Sequence, residues 1–579
     1  MSGASHALTF CGVEHLLYAD DLIIFASSRD SGARTEIRRA IKCLEKWSKD
    51  FGFKFSAQKT KAIHFCRHQP CLAPPSFTIY DSPIAVEETI KILGVNFDNK
   101  LSFKQHVANL RSECAKRVQL IRTLANTSWG ADRSQLLQVS LAVVGGKCDY
   151  GVQAYGTASI STLNRLNGPY NAAIRLSTGA FKSSPVESVL AEAGVSGLEE
   201  RRSLLIMRWA NKVKSDPTHL LHKAITSRKP MRSRRITSIV DHFLNWAREY
   251  KLPQATFIRR SFPVNPPWQF SEHSVDTSFS VHKKKDTHPL EFLGMVLERL
   301  ESLESTQEVR VFYTDGSKQA DGTGFGMYRV SPELKIAKKL RKEASIFSAE
   351  ASAILFALRF DPADVSHRVI FTDSLSVCSA VLGFDSRASL VVNIRDLLIK
   401  NPQFRIVWIP GHCGIPGNEV ADELANSSIN RYLLDDPRVS LEDSQHQTRV
   451  AWQKRKSEAW TSLSSDNKFR NICSDPSALA RPVGLDRREQ CILTRLRIGH
   501  TRVTHGYLME GLTRPPKCDV CVGNKTVTVQ HILEECIKFS SPRNALGGIG
   551  VSMIGDGGDE SGIKRVLNFI EKCGLQSDI

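Results

Sequence analysis

The chain has 579 residues and a formal net charge of +18 at pH 7, with 78 Lys and Arg against 60 Asp and Glu. Its length predicts roughly three or four domains, and its 41% hydrophobic and 24% charged content excludes a disordered chain. No apolar run approaches the roughly 20 residues of a membrane span, and the basic balance favours a polyanionic partner, either nucleic acid or an acidic membrane surface.

The N-terminal MSGASHALTFCG lacks the basic and apolar regions of a secretory signal. Fourteen scattered cysteines are too few for a disulfide scaffold. They point to an intracellular, reducing setting in which any clustered set binds metal. LLYADDLIIFASS (Leu16–Ser28) then places Asp20 and Asp21 between two apolar runs. They read either as turn residues of a tight hairpin or as carboxylates that a bound cation keeps among apolar neighbours.

From about residue 104 to 250, apolar residues recur at helical spacing, as in LLIMRWANKV (Leu204–Val213), which predicts a helical connecting region. SRKPMRSRRI (Ser227–Ile236) and the Pro- and Lys-rich stretch Phe262–Pro289 read as linker or loop.

EVRVFYTDGSK (Glu308–Lys318), GFGMYRV and LKIAKKLRK then supply three strand candidates. FSAEASAILFALRF (Phe347–Phe360) is helical, with Glu350 near its first turn. HRVIFTDSLSV (His367–Val377) is a strand after which Ser374 caps a helix. FRIVWIPGHCGIPGNEVADELAN (Phe404–Asn426) is a strand, a Gly/Pro loop and a helix carrying Asp422. A mixed sheet brings Asp315, Glu350, Asp373 and Asp422 to one place. Four converging carboxylates repel one another unless divalent cations neutralise them. Oxygen-only ligands suit Mg²⁺ or Mn²⁺, and two such ions clamp the attacking and leaving oxygens of a phosphodiester.

TDGS, SAE, TDS and GHCGIPGNEVAD, in this order, resemble the four motifs of a type 1 ribonuclease H domain. The resemblance implies an α/β fold, a ribonuclease H-like mixed five-stranded sheet with flanking helices. It also implies that Asp315 bridges two Mg²⁺ (or Mn²⁺) ions, that Glu350 and Asp373 hold the second, and that Asp422 completes the first. His412 would be a mobile general acid/base that helps the product leave. Leu375, after TDS, departs from the polar residue that relatives often place against the hybrid. The implied reaction is hydrolysis of the RNA strand of an RNA–DNA hybrid, whose two strands differ in their 2′-hydroxyls.

Tyr18-Ala19-Asp20-Asp21, followed by an apolar strand, resembles the catalytic hairpin of reverse transcriptases. FKFSAQKTKAIHF (Phe53–Phe65) resembles the palm segment that follows it, with Ser56-Ala57-Gln58-Lys59-Thr60 where relatives often have Asn-x-x-Lys-Thr. KILGVNFDNKLSFKQHV (Lys91–Val107) resembles the primer grip and early thumb of non-LTR retrotransposon enzymes. The order of these segments matches the second open reading frame of Jockey- and I-like elements. Only seventeen residues precede Tyr18, so the fingers and first catalytic Asp of such a palm are expected to be missing. Asp20 and Asp21 would then be relics of a two-metal polymerase site, with polymerase activity lost.

CDVCVGNKTVTVQHILEEC offers Cys518, Cys521, His531 and Cys536 as a Cys₃His set for structural Zn²⁺, and similar Cys/His tails follow ribonuclease H in these elements. Arg495, Arg497 and Arg502 just before it are expected to touch nucleic acid.

The expected organisation is a truncated palm and primer-grip remnant (1–105), a helical thumb and connection (106–250), a linker (251–304), a ribonuclease H domain (305–430) and a helical tail with the Cys/His motif (431–579). The expected partner is an RNA–DNA hybrid, with no membrane and no specific protein partner. The alternatives are a non-catalytic nucleic-acid-binding remnant, or a reverse transcriptase active only with a complementing partner.

Overall fold

The structure, a computed structural model, describes residues 2–11, 13–28, 32–66, 75–227, 238–252, 256–259, 265–281, 287–304, 309–360, 367–383, 385–432, 434–481 and 484–579. Most of the expected linker Ser227–Ile236, and residues 262–264 and 282–286 of the second basic stretch, lie outside the described residues. Two compact units divide the chain: residues 203–462, and residues 1–202 together with 463–579. Among the described residues no helix is long and apolar enough to cross a membrane.

The unit of residues 203–462 is built on one mixed sheet. Its strands are β1 (Val275–Asp276), β2 (Val309–Gln319), β3 (Gly322–Arg329), β4 (Leu334–Leu340), β5 (His367–Thr372) and β6 (Phe404–Trp408), in the order β4-β3-β2-β5-β6-β1. The first three of that row pair antiparallel, and β2, β5, β6 and β1 run parallel. The sheet has six strands rather than the expected five.

The extra strand corrects the reading of 251–304 as linker. β1 covers the edge of β6, which would otherwise offer unpaired backbone groups. Helix α1 (Pro289–Glu304) buries Phe292 and Val296, and Val296 packs with Val311, Tyr313, Val369, Phe371 and Val407 on one sheet face. Farther along, Thr256–Phe257 pairs with Arg438–Val439.

The opposite face carries Phe312, Met327, Ile370 and Ile406 under helices α2 (Ile346–Arg359), α3 (Leu375–Leu382) and α4 (Ser389–Lys400). Successive strand residues therefore enter opposite cores, so RVIFT and RIVWI read as continuous apolar runs, as in sheets covered on both sides. Helix α5 (Pro416–Ile429) lies across β2 and β3. Two buried arginines seal helix ends here, donating to carbonyls that have no partner within the helix. Arg368 donates to Ala357 and Leu358 at the end of α2, and Arg395 donates to Ala380 and Val381 of α3.

In the other unit, the hairpin Glu14–Tyr18/Asp21–Phe25 pairs Tyr18 with Asp21, leaving Ala19 and Asp20 as its two-residue tip. Asp20 and Asp21 are exposed. Cys11, just after helix Ser2–Phe10, is bonded to Cys43 of helix Gly32–Asp50, so the cysteines include one bridge that the composition did not predict. The helix Arg487–Ile498 docks on helices of the first 202 residues through its arginines. Arg487 donates to the carbonyls of Leu176 and Ser177, and Arg495 donates to Gly179 and stacks on Phe181.

Arg497, 1% exposed in its side chain, donates to Ile554 and Ala480 and sits 3.8 Å from the Glu192 carboxylate. The expectation that Arg495 and Arg497 touch nucleic acid is therefore corrected, because carbonyls and a buried carboxylate already occupy them. Arg502 alone of the three is exposed.

Glu192, itself 1% exposed, also pairs with Arg133 at 2.8 Å. Glu192→Ala would leave two largely buried guanidinium groups without their counter-charge. It is expected to cost about 3–5 kcal/mol of unfolding free energy, measured by urea unfolding of the full chain; a loss below about 0.5 kcal/mol would remove the pair from this account.

Candidate functional site

The parallel register aligns Thr314 with Thr372, so the next residues, Asp315 and Asp373, leave the central strand pair side by side. Asp315 stays in the sheet opposite Gly326 of β3, while Asp373 begins the turn into α3, which Ser374 caps by accepting from the Val377 amide. Glu350 comes from α2, whose N-terminus Ser345 caps. One carboxylate oxygen from each of Asp315, Glu350 and Asp373 lies within 4.8 Å of the other two.

Two glycines set how closely the helices approach. A Cβ on Gly316 would fall 2.7 Å from the Glu350 amide, and one on Gly326 would fall 2.3 Å from the Ala421 carbonyl. Only glycine lets α2 and α5 rest this near the sheet. Ala421 faces β3, and Asp422, the next residue, lies within hydrogen-bond reach of Asp315. Asp422 also joins His412 and Glu419 in a second group whose candidate ligand atoms lie within 4.8 Å of one another. His412 is exposed, in the loop before α5, with a φ of 55°. The structure thus brings together Asp315, Glu350, Asp373, Asp422 and His412.

Sequence reading missed the groups that hold these acids. Trp408 Nε1 donates to the Asp373 backbone carbonyl at 3.0 Å, and the buried Asn418 side chain bonds the Asp373 carboxylate. Ser374 donates to Glu350. Asn426 Nδ2 donates to Asp422 at 2.9 Å, and Asn426 Oδ1 accepts from the Ser317 hydroxyl at 2.6 Å. The available signal was spacing, since Asn426 follows Asp422 by four residues and so shares its helix face.

Burial dominates the electrostatics. Desolvation, reinforced by Asp373 and Asp422, pushes the Asp315 carboxyl up to about 9. Desolvation pushes Glu350 up to about 7 against the Ser374 hydroxyl, which favours its ionised form. Asp373 is raised by burial too, against donation from Asn418.

In the tail, Cys518, Cys521, His531 and Cys536 also offer ligand atoms within 4.8 Å of one another. The Cys536 sulfur lies 3.8 Å from that of Cys518 and 3.9 Å from that of Cys521. His531 Nδ1 is 3.4 Å from Glu535, and its Nε2 is buried. The neighbouring imidazole holds the Cys518 thiol down, to about 6. By contrast, Asp20 and Asp21 belong to no such group among the described residues.

Asp315 and Glu350 keep their protons to higher pH when folded than when unfolded. These two groups therefore bind more protons in the folded state between about pH 4 and about pH 9, and their contribution to stability falls as pH rises through that window, while His500 and His505, held down by burial, act in the opposite sense below about pH 6.5. The thermal midpoint in EDTA should decline between about pH 7 and about pH 9, and Asp315→Asn should flatten the decline in scanning calorimetry. An unaltered slope would show that Asp315 does not carry the strain.

The RNase H family profile matches residues 307–430, and that of reverse transcriptase (RNA-dependent DNA polymerase) matches residues 1–97. The chain is 24% identical over 226 residues to the probable RNA-directed DNA polymerase from transposon BS of Drosophila melanogaster, covering 38% of this chain and 24% of the relative. To the RNA-directed DNA polymerase from mobile element jockey of the same organism it is 23% identical over 219 residues, or 36% and 23% of the two chains. A solved foamy viral protease-reverse transcriptase in complex with dsDNA matches at 25% identity and TM-score 0.18, covering 21% of this chain and 94% of that one. The matches span about a quarter of the length of the two curated relatives. The chain thus joins a segment that matches reverse transcriptase (residues 1–97) to one that matches RNase H (residues 307–430), and it is similar in part to the polymerases of the BS and jockey elements.

Proposed function

We propose that residues 305–430 hydrolyse the RNA strand of RNA–DNA hybrids. The observation that carries this is one buried and two half-buried carboxylates within 4.8 Å of one another, with a fourth in hydrogen-bond reach and an imidazole beside that fourth. An all-oxygen acidic set suits Mg²⁺ or Mn²⁺, and Asp315, Glu350, Asp373 and Asp422 would hold two such ions. When bound, they supply an activated water and neutralise charge on the scissile phosphodiester.

The chain's own groups do the rest. Asn418, Trp408 and Ser374 hold Asp373 and Glu350 in place, so little reorganisation is needed on binding. His412, exposed on its loop, would take and return a proton at the leaving oxygen. A basic surface would hold the phosphate backbone.

The test is Mg²⁺-dependent cutting of labelled RNA–DNA hybrid, run beside double-stranded RNA and DNA. Asp315→Asn and Asp373→Asn should each abolish cutting without loss of fold, and His412→Ala should cost about 10² to 10⁴-fold. Equal cutting by wild type and both Asp variants would remove the site assignment.

For the N-terminal segment we propose that this polypeptide does not polymerise. Asp20 and Asp21 stand at an exposed hairpin tip and, among the described residues, belong to no three-residue ligand group. Mg²⁺ demands near-octahedral geometry, which a lone pair on a turn does not supply. No primer extension on an RNA template is expected, and Asp20→Ala with Asp21→Ala should leave hybrid cutting unchanged. Template-dependent synthesis would overturn this.

Cys518, Cys521, His531 and Cys536 would hold one structural Zn²⁺. Glu535 would orient the imidazole by accepting from Nδ1, the usual second partner of a zinc-ligating His. The full chain should carry one zinc by elemental analysis and lose thermal stability on chelation. A metal-free chain of unchanged stability would make the cluster incidental.

A further inference from the structure

We propose that Asn426 is a positioning residue for Asp422, with Ser317 behind it. The inference rests on the reading of Asp422 as a cation ligand. Asp422 and Asn426 are four residues apart on α5 and so stack on one face of the helix. The carboxylate only accepts, so the 2.9 Å contact requires Asn426 to present its NH₂ group. The amide oxygen then faces the Ser317 hydroxyl at 2.6 Å, and that hydroxyl donates. Both ends of the amide are used, and the carboxylate end does not tolerate the flipped orientation.

Ser317 is 9% exposed and lies two residues beyond Asp315 on β2. The two side chains therefore project from the same side of the strand. One strand thus carries an acid of the site and, through Ser317 and Asn426, fixes the angle of a second acid on another element. The terminal torsion of an Asp is broad and roughly two-fold. An amide donating to one oxygen selects one setting and leaves the other oxygen for Asp315 and a cation.

Removing a group that orients a ligand typically weakens metal affinity 10–100-fold, so Asn426→Ala should weaken Mg²⁺ and Mn²⁺ binding by about 10-fold or more. Asn426→Asp keeps the shape but sets carboxylate against carboxylate, and should weaken it further unless it adds a ligand oxygen. Ser317→Ala should have the smaller effect, since it frees the amide without removing it.

The experiment is titration calorimetry of the full chain with Mg²⁺ and with Mn²⁺, together with thermal unfolding in EDTA and hybrid cleavage at rising Mn²⁺. The expected result is weaker binding, an unchanged unfolding midpoint in EDTA, and cleavage that recovers at high Mn²⁺. Unchanged affinity in both Asn426 variants would overturn the proposal. So would an affinity loss matched by a lower midpoint in EDTA, which marks a merely structural contact. A wild-type chain that binds the cations but cuts no hybrid would sink the ribonuclease reading alone, leaving this proposal to stand or fall on the isotherms.

Discussion

Everything at the site follows from one register. The backbone ladder that sets Thr314 against Thr372 delivers two carboxylates side by side where the parallel pair ends. Ionised carboxylates out of water are costly, and two of them costlier still. The surroundings are built around that difficulty. Helices press in from both faces over glycine, and amide, indole and hydroxyl donors hold the acids while burial holds their protons on. A one-residue slip of the two strands would turn the acids to opposite faces, and no helix could then reach both.

The four acidic motifs were legible because each ends or follows an element with its own strong pattern. Apolar runs of strand length and a Ser-capped helix place Asp315, Glu350, Asp373 and Asp422 without any knowledge of packing. Strand β1 was not legible, since two residues, Val275 and Asp276, show no alternation. They become a strand only because β6 has an open edge. Helix α1 begins where the Pro- and Lys-rich stretch ends, and its own apolar residues Leu293, Val296, Leu297 and Leu300 recur at helical spacing, a signal that the reading of 251–304 as linker passed over. The closeness of α5 to the sheet stood in the sequence as Gly322, Gly324 and Gly326, spaced by two, and that period was the available signal.

The unit that joins the two ends of the chain was beyond any local reading. Helix Arg487–Ile498 donates to carbonyls some 310 residues away in sequence, and no window sees such a pairing. What the composition offered instead was a count of positive charges, which was assigned to a polyanion. Arg497 and Arg495 show that not every such charge serves that partner: a basic residue is also the donor of choice for the carbonyls that a helix leaves over.

That use of arginine changes what the net charge means. Arg368, Arg395, Arg487, Arg495 and Arg497 are all committed to backbone carbonyls. A strand of nucleic acid sheds condensed counterions only to cations that can approach its phosphates. The charges that stitch helix ends together take no part in that exchange. The ion-release stoichiometry of any complex this chain makes is therefore set by the exposed lysines and arginines that reach phosphates, and cannot be read from the net charge of +18.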